Sequence, residues 1–180
     1  RRIGARIALA DESGFMLRPT VRRTWAPAGQ TPICRCWDRR DRLSAISAIT
    51  VSPKRHRLDL CFRIMGHNVR TEDFERFGVA LLRRPGSLIL VLDRYQVHRS
   101  AAKRLLRRFP RRLSVEWLPA YAPDLNPAEQ VWNRAKYTDL PNFVPDDTRE
   151  LHRAVRRSFK KTASQHRLLK SFFKHAGLTL

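Results

Sequence analysis

The run Leu88-Ile-Leu-Val-Leu92 constrains this chain more than any other stretch. Five apolar residues without a polar break make a strand that water reaches on neither face. Such a strand needs helices above and below it, and the flanking sequence supplies them. Phe74, Phe77, Leu81 and Leu82 fall at i, i+3, i+7 and i+8 of a helix capped by Thr71 and ended by Pro85-Gly86. Leu105, Leu106 and Phe109 give the buried stripe of a second helix, capped by Ser100 and stopped at Pro110. Residues 113–118 read as a further strand. Upstream, residues 6–11, 43–51 and 58–64 alternate apolar and polar side chains, which predicts a three-stranded antiparallel meander. Right-handed crossovers then set the first, fourth and fifth strands side by side and parallel. The fold class is α/β, a mixed five-stranded sheet with helices on both faces.

Residues 18–37 are turn-rich and polar, and predict a hairpin excursion between the first two strands. Trp25 in it is expected to cover the edge of the core; with Arg22 and Arg23 it has the alternative of gripping a nucleic-acid backbone and stacking a base. Cys34 and Cys36 lack the usual zinc spacing and read as strand cysteines. With 180 residues, one core is the expectation: a main domain over residues 1–145, and a basic helical extension of the same domain over residues 146–180. In that tail Leu151, Val155, Phe159, Leu168, Leu169, Phe172 and Phe173 form an apolar stripe, while Arg156, Arg157, Lys160 and Lys161 stand among the cations crowding the remainder.

Lys and Arg number 37 against 16 Asp and Glu, a net charge of +21. So large a positive charge favours a polyanionic partner, nucleic acid before a membrane surface. Arg94, Lys103, Arg104, Arg107 and Arg108 are further candidates for phosphate contacts. A hydrophobic content of 42% excludes a disordered basic tail. Three cysteines without a regular framework fit a reducing, cytoplasmic setting.

Acids at three points of the chain stand out against this basic background. Asp11 and Glu12 close the first strand, Asp11 on the face of Ile7 and Leu9, Glu12 on that of Ala8 and Ala10. Asp93 follows the most buried strand directly. Glu129 lies in Leu118-Pro-Ala-Tyr-Ala-Pro-Asp-Leu-Asn-Pro-Ala-Glu-Gln-Val-Trp132, where Pro119, Pro123 and Pro127 predict a stiff, extended approach to a helix with Asn126 as N-cap and Glu129 at its third position. The bland reading of Glu129 is a capping box with the Asn126 amide. The alternative is chemical: neighbouring strands lie about 4.8 Å apart, so Asp11 and Asp93 can share a metal ion at the carboxyl ends of their strands, with Glu129 closing the site. His98 reads either as a surface or capping residue or as a group that touches the scissile phosphate or orients Asp93.

Ala10-Asp11-Glu12, Leu92-Asp93 with His98-Arg99-Ser100, and the stretch from Leu118 to Trp132 together resemble the mariner-like transposases of bacterial insertion sequences and their RNase H-like DDE catalytic domain. The resemblance implies Asp11, Asp93 and Glu129 as catalytic ligands of two Mg²⁺ (or Mn²⁺) ions, with Glu12, His98 and Asn126 as accessory residues. It implies phosphodiester hydrolysis at element ends and strand transfer into target DNA, on double-stranded DNA, by a homodimer at the nucleoid. The family's N-terminal helix-turn-helix modules are expected in cis or as a separate chain, since Arg1 stands almost at the first strand. Arg94-Tyr95 departs from the Asn and small residue expected after the second acid, and bulk there would crowd the metal. Two other readings stay open: an inactive basic DNA-binding remnant, and an RNase H-like nuclease.

Overall fold

A computed structural model of the chain describes residues 4–36, 41–120 and 122–180. Five strands, β1 (Arg6–Met16), β2 (Arg42–Val51), β3 (Leu58–Met65), β4 (Leu88–Leu92) and β5 (Leu113–Trp117), form one sheet in the order β3-β2-β1-β4-β5. The meander is antiparallel and β1, β4 and β5 are parallel, as the crossover rule requires. Helices α1 (Thr71–Leu82) and α2 (Gln96–Arg108) cover one face, where Leu88, Leu90 and Leu92 pack with Phe74, Phe77, Leu81 and Leu105. Ala8, Ala10 and Ala48 also lie on that face, and their small side chains leave room for the aromatic rings. Gly78 sets the approach of the two helices: a Cβ there would lie 2.5 Å from Leu105 Cδ1. The other face takes α3 (Glu129–Arg134), α4 (Thr148–Ala163) and α5 (His166–His175). There Leu9, Phe15 and Ile49 meet Trp132, Val155, Phe159, Leu169 and Phe173.

Several expectations are corrected. β1 does not end at Asp11. Its parallel pairing with β4 stops at Leu9↔Val91, but pairing with β2 continues to Met16↔Arg42, so Asp11 sits mid-strand opposite Ser47. Residues 18–36 form no hairpin, and Trp37 lies outside the described residues. The segment from Val21 to Cys36 is exposed throughout, with a turn closed by the Gln30 amide on the Pro27 carbonyl at 3.0 Å. Its apolar side chains find no sheet to lie on. Cys34 and Cys36 are therefore exposed loop residues, and Trp25, 100% exposed, covers no core. Trp25→Ala is expected to leave unfolding free energy unchanged within about 0.5 kcal/mol; a larger loss by denaturant titration would mean that the indole packs against the body.

α2 begins at Gln96, ahead of the expected cap at Ser100. Its buried residues are His98, Ala101, Ala102 and Leu105, while Leu106 turns to solvent at 37% exposure. The early start rotates the buried stripe toward the N-terminus, and His98 becomes core. The proline-rich approach is not wholly extended, because Pro123–Leu125 form a 3₁₀ turn. A π turn, Ala135–Asp139, prolongs α3. The single helical tail is two helices broken at Ser164-Gln165, with Asp147 as the N-cap of α4, accepting from the Glu150 amide at 2.7 Å. Leu168 is only partly buried in the stripe. Among the described residues no helix is long and apolar enough to cross a membrane.

Candidate active site

Asp11, Asp93 and Glu129 come from three separate segments and line one cleft of about 400 Å³, with Arg94, Pro119, Pro123 and Asn126 also in its wall. β1 holds Asp11 on the Leu9 face, where the Trp132 indole Nε1 donates to its Oδ2 at 2.8 Å. Asp93 leaves the end of β4 half-exposed; its Oδ1 accepts from the Tyr95 amide at 3.0 Å and from His98 Nδ1 at 2.5 Å. Glu129 is the first residue of α3.

The capping box does not form. The Asn126 amide donates to the Pro123 carbonyl instead, leaving Glu129 with no cap to close. Asn126 still organises the turn: its Oδ1 accepts from the Ala128 amide at 3.2 Å and its Nδ2 donates to the Ala10 carbonyl at 3.3 Å. It thereby ties the residue before Asp11 to the turn that carries Glu129.

His98 is fully buried, against the surface or capping expectation. Its Nδ1 meets Asp93 and its Nε2 meets the Glu12 carboxylate, so one imidazole joins β1 to the end of β4. Burial opposes its charge, but the hydrogen bonds and charges of Asp93 and Glu12 outweigh that and push its pKa up to about 9. The His98 hydrogen bond in turn holds Asp93 below the usual carboxylate range, against the smaller opposing effect of burial. Asp11 goes the other way. Burial first, then the charge of Glu129, push its pKa up to about 8, although the Trp132 bond opposes the shift.

Trp132 and Lys136 were not read from the sequence as site residues. Lys136, in the π turn, donates to Ser13 Oγ at 2.7 Å and lies 5.4 Å from the centre of the Phe15 ring. Burial lowers its pKa, while the charges of Glu129 and Asp11 hold it up. The signal was present: residues 129, 132 and 136 fall at i, i+3 and i+7, one face of a helix.

The donor set is all carboxylate oxygen, which suits a hard divalent cation. The upward shift of Asp11 fits this, since a buried acid facing a second acid becomes stable as the anion once a cation offsets their repulsion. Among the described residues, no three of His, Cys, Asp and Glu converge as a closed metal cluster; the acids line the cleft without meeting. Stability gives a test. Between about pH 4 and about pH 8 the folded chain keeps a proton on Asp11 that the unfolded chain has lost, so stability falls as pH rises through that window and the full cost stands above about pH 8. In chelator, Asp11→Asn is therefore expected to melt at a higher temperature than the natural chain, by a margin that widens with rising pH. A margin that is negative, or flat from about pH 5 to about pH 9, contradicts the account of Asp11.

The expected basic contacts are unequally free. Arg104 is engaged by Glu72 at 2.8 Å and Glu75 at 3.4 Å, and Lys161 lies 3.5 Å from Asp139. Arg22 donates to the Tyr137 carbonyl and is clamped through its backbone by Asn142, so it anchors the exposed segment. Arg108 lies over the Phe109 ring. Arg23, Arg94, Lys103, Arg107, Arg156, Arg157 and Lys160 are exposed. Tyr95 does not line the cleft; its ring stands edge-on to His98, and it is Arg94 that projects there.

Solved structures share this fold. The Mos1 strand transfer complex matches with a TM-score of 0.60 at 18% identity over 97% of this chain and 55% of that one. The mariner Mos1 paired end complex with Mg matches with a TM-score of 0.65 at 17% identity, over 96% of this chain and 53% of that one. A pre-cleavage Mos1 transpososome matches with a TM-score of 0.58 at 15% identity, over 97% and 56%. The chain thus spans about half the length of the chains it resembles, and the likeness establishes an RNase H-like fold. No curated protein matches it in sequence. The family model described as DDE superfamily endonuclease matches residues 6–151, a span that takes in all three cleft acids as well as His98 and Trp132. On that match the chain belongs to the DDE superfamily endonucleases.

Proposed function

We propose that this chain is the catalytic domain of a DNA transposase, which hydrolyses phosphodiester bonds at element ends and joins the freed 3′ ends to target DNA. The observation that supports this reading is that Asp11, Asp93 and Glu129 line one cleft in a chain of this family. Two of the similar structures were solved with Mn and with Mg. Here Asp11, Asp93 and Glu129 would hold two divalent ions, which supply Lewis acidity toward the scissile phosphate when bound.

The remaining roles belong to side chains around the acids. Trp132 fixes the orientation of Asp11, and His98 fixes Asp93 against Glu12. Asn126 holds the Ala10 carbonyl to the turn before Glu129, which keeps the first and third acids in register. Lys136 offsets part of the negative charge on the Asp11 and Glu129 side. The net charge of +21 favours duplex DNA as partner, with Arg23, Arg94, Lys103, Arg107, Arg156, Arg157 and Lys160 free for phosphates. Action as a homodimer with a helix-turn-helix module, in cis or in a separate chain, belongs to the same reading.

Nicking of supercoiled plasmid by the purified chain in Mg²⁺ or Mn²⁺ tests it. Nicking that needs the divalent ion supports the reading. A second reading, a DNA-binding chain with a blocked site, is favoured by the Arg94 side chain in the cleft wall. Its signature is tight DNA binding with no nicking, and recovery of nicking in Arg94→Asn.

A further inference from the structure

A serine hydroxyl in the middle of the sheet is buried without a partner. Ser47 of β2 is 0% exposed, and its Oγ makes no hydrogen bond among the described residues. β2 lies between β1 and β3, so the backbone carbonyls beside Ser47 are engaged in ladders on both sides. The side chains around it are mostly apolar. Ala45 and Ile49 flank it along the same face of β2, and Phe62 stands opposite on β3, its ring 5.2 Å from that of Phe159. Ser13, a diagonal neighbour, already accepts from Lys136 at 2.7 Å. Of the described neighbours on this face of the sheet, only Asp11, directly opposite on β1, carries a carboxylate.

Directly paired residues of an antiparallel ladder have Cβ atoms about 4.5–5.5 Å apart, so rotation about χ1 brings a serine hydroxyl within reach of the aspartate across from it. Here the Asp11 carboxylate is turned to Trp132, whose Nε1 donates to Oδ2 at 2.8 Å. A carboxylate has room for about four hydrogen bonds or ligands, so the indole leaves places for a second donor and for a cation. An orphaned buried hydroxyl costs free energy, and a hydroxyl donating to an ionised carboxylate is among the stronger hydrogen bonds. The orphaning is not general to the strand. Thr50, on the other face of β2, donates to the Asp59 carbonyl at 3.4 Å.

We propose that Ser47 is a positioning residue for the acidic site: its hydroxyl donates to the Asp11 carboxylate when Asp11 holds a divalent ion, and together with the Trp132 indole it fixes which lone pairs of that carboxylate face the cleft. The proposal rests on the metal-dependent reading above. Ser47 lies beneath Asp11 in the sheet and touches neither substrate nor ion; it acts through Asp11 alone.

The test compares the natural chain with Ser47→Ala and Thr50→Ala in two measurements, the urea midpoint in chelator and the binding of Mn²⁺ to the metal-free chain. Ser47→Ala is expected to weaken Mn²⁺ binding about tenfold, the usual loss when a group that orients a metal ligand is removed. Its urea midpoint in chelator should be unchanged or raised, because an orphaned hydroxyl is removed and no bond is broken. Thr50→Ala, which loosens the same strand from the other face, should lower the midpoint and leave Mn²⁺ affinity alone. A residue that merely packs would give the second pattern at both positions. Equal Mn²⁺ affinity in Ser47→Ala overturns the proposal and leaves the metal-dependent reading standing. So does a Thr50→Ala loss of affinity as large as that of Ser47→Ala, which assigns the effect to loosening of β2. A lowered midpoint for Ser47→Ala in chelator overturns it too, since the hydroxyl would then already have a partner. A natural chain that binds no Mn²⁺, or binds it no better than Asp93→Asn/Glu129→Gln, overturns both this proposal and the metal-dependent reading.

Discussion

Asp93→Asn and Glu129→Gln are each expected to reduce divalent-ion-dependent nicking by about three orders of magnitude or more. Loss of a metal-holding carboxylate removes several kcal/mol of transition-state stabilisation, and each 1.36 kcal/mol is about tenfold in rate. Neither change shortens a side chain, and each removes a negative charge, so DNA binding should hold or strengthen. The effects should be graded outward. His98 touches no substrate on this account and acts by fixing Asp93, so His98→Gln is expected to cost roughly 10- to 100-fold, the usual loss for a group that orients a metal ligand. Equal losses at all three positions would make His98 part of the chemistry; no loss at Glu129 would return that residue to a structural role.

Phe159→Ala is expected to destabilise the chain by about 3–5 kcal/mol, the range for deleting a buried aromatic ring. Phe159 is 0% exposed and packs edge-on or tilted against Phe15 at 5.9 Å, Phe62 at 5.2 Å and Trp132 at 5.5 Å. These contacts join α4 to β1, β3 and α3 at one point. Because Trp132 is also the donor to Asp11, the cavity left by the ring lies directly behind the site. Residues 146–180 should then be an integral part of one domain, and a chain ending at residue 145 should fail to fold. Urea unfolding measures the first effect; a loss below about 1 kcal/mol would mean that the C-terminal helices lie loosely on a self-sufficient sheet.

The parts of this architecture legible in the sequence were those with a strong period. Leu88 to Leu92, the alternation of Leu58, Leu60 and Ile64 in β3, and the stripe through Phe74, Phe77, Leu81 and Leu82 each admit one secondary structure, and the sheet order follows from their sequence and crossover handedness. The parity of Asp11 and Glu12 was legible for the same reason, and the two acids do turn to different partners, Trp132 and His98. Tertiary context decided the rest. His98 is polar and sits near a helix start, so the sequence alone favours the surface, yet two carboxylates, one on β1 and one just past β4, make its burial tolerable. Trp25 was expected to be buried on the average behaviour of tryptophan, but its segment has no sheet neighbour to receive it. The capping-box reading of Glu129 failed because the Asn126 amide is taken by the 3₁₀ turn before it, a local competition invisible in the spacing.

The most direct test of the central claim, that the three acids form one divalent-ion site, is binding of Mn²⁺ to the metal-free chain followed by electron paramagnetic resonance. The natural chain should bind two ions with the spectrum of a coupled pair, and Asp93→Asn/Glu129→Gln should leave free Mn²⁺ at the same concentrations. Equal Mn²⁺ binding by the double variant would contradict the account, because the cleft would then not be where the metal sits.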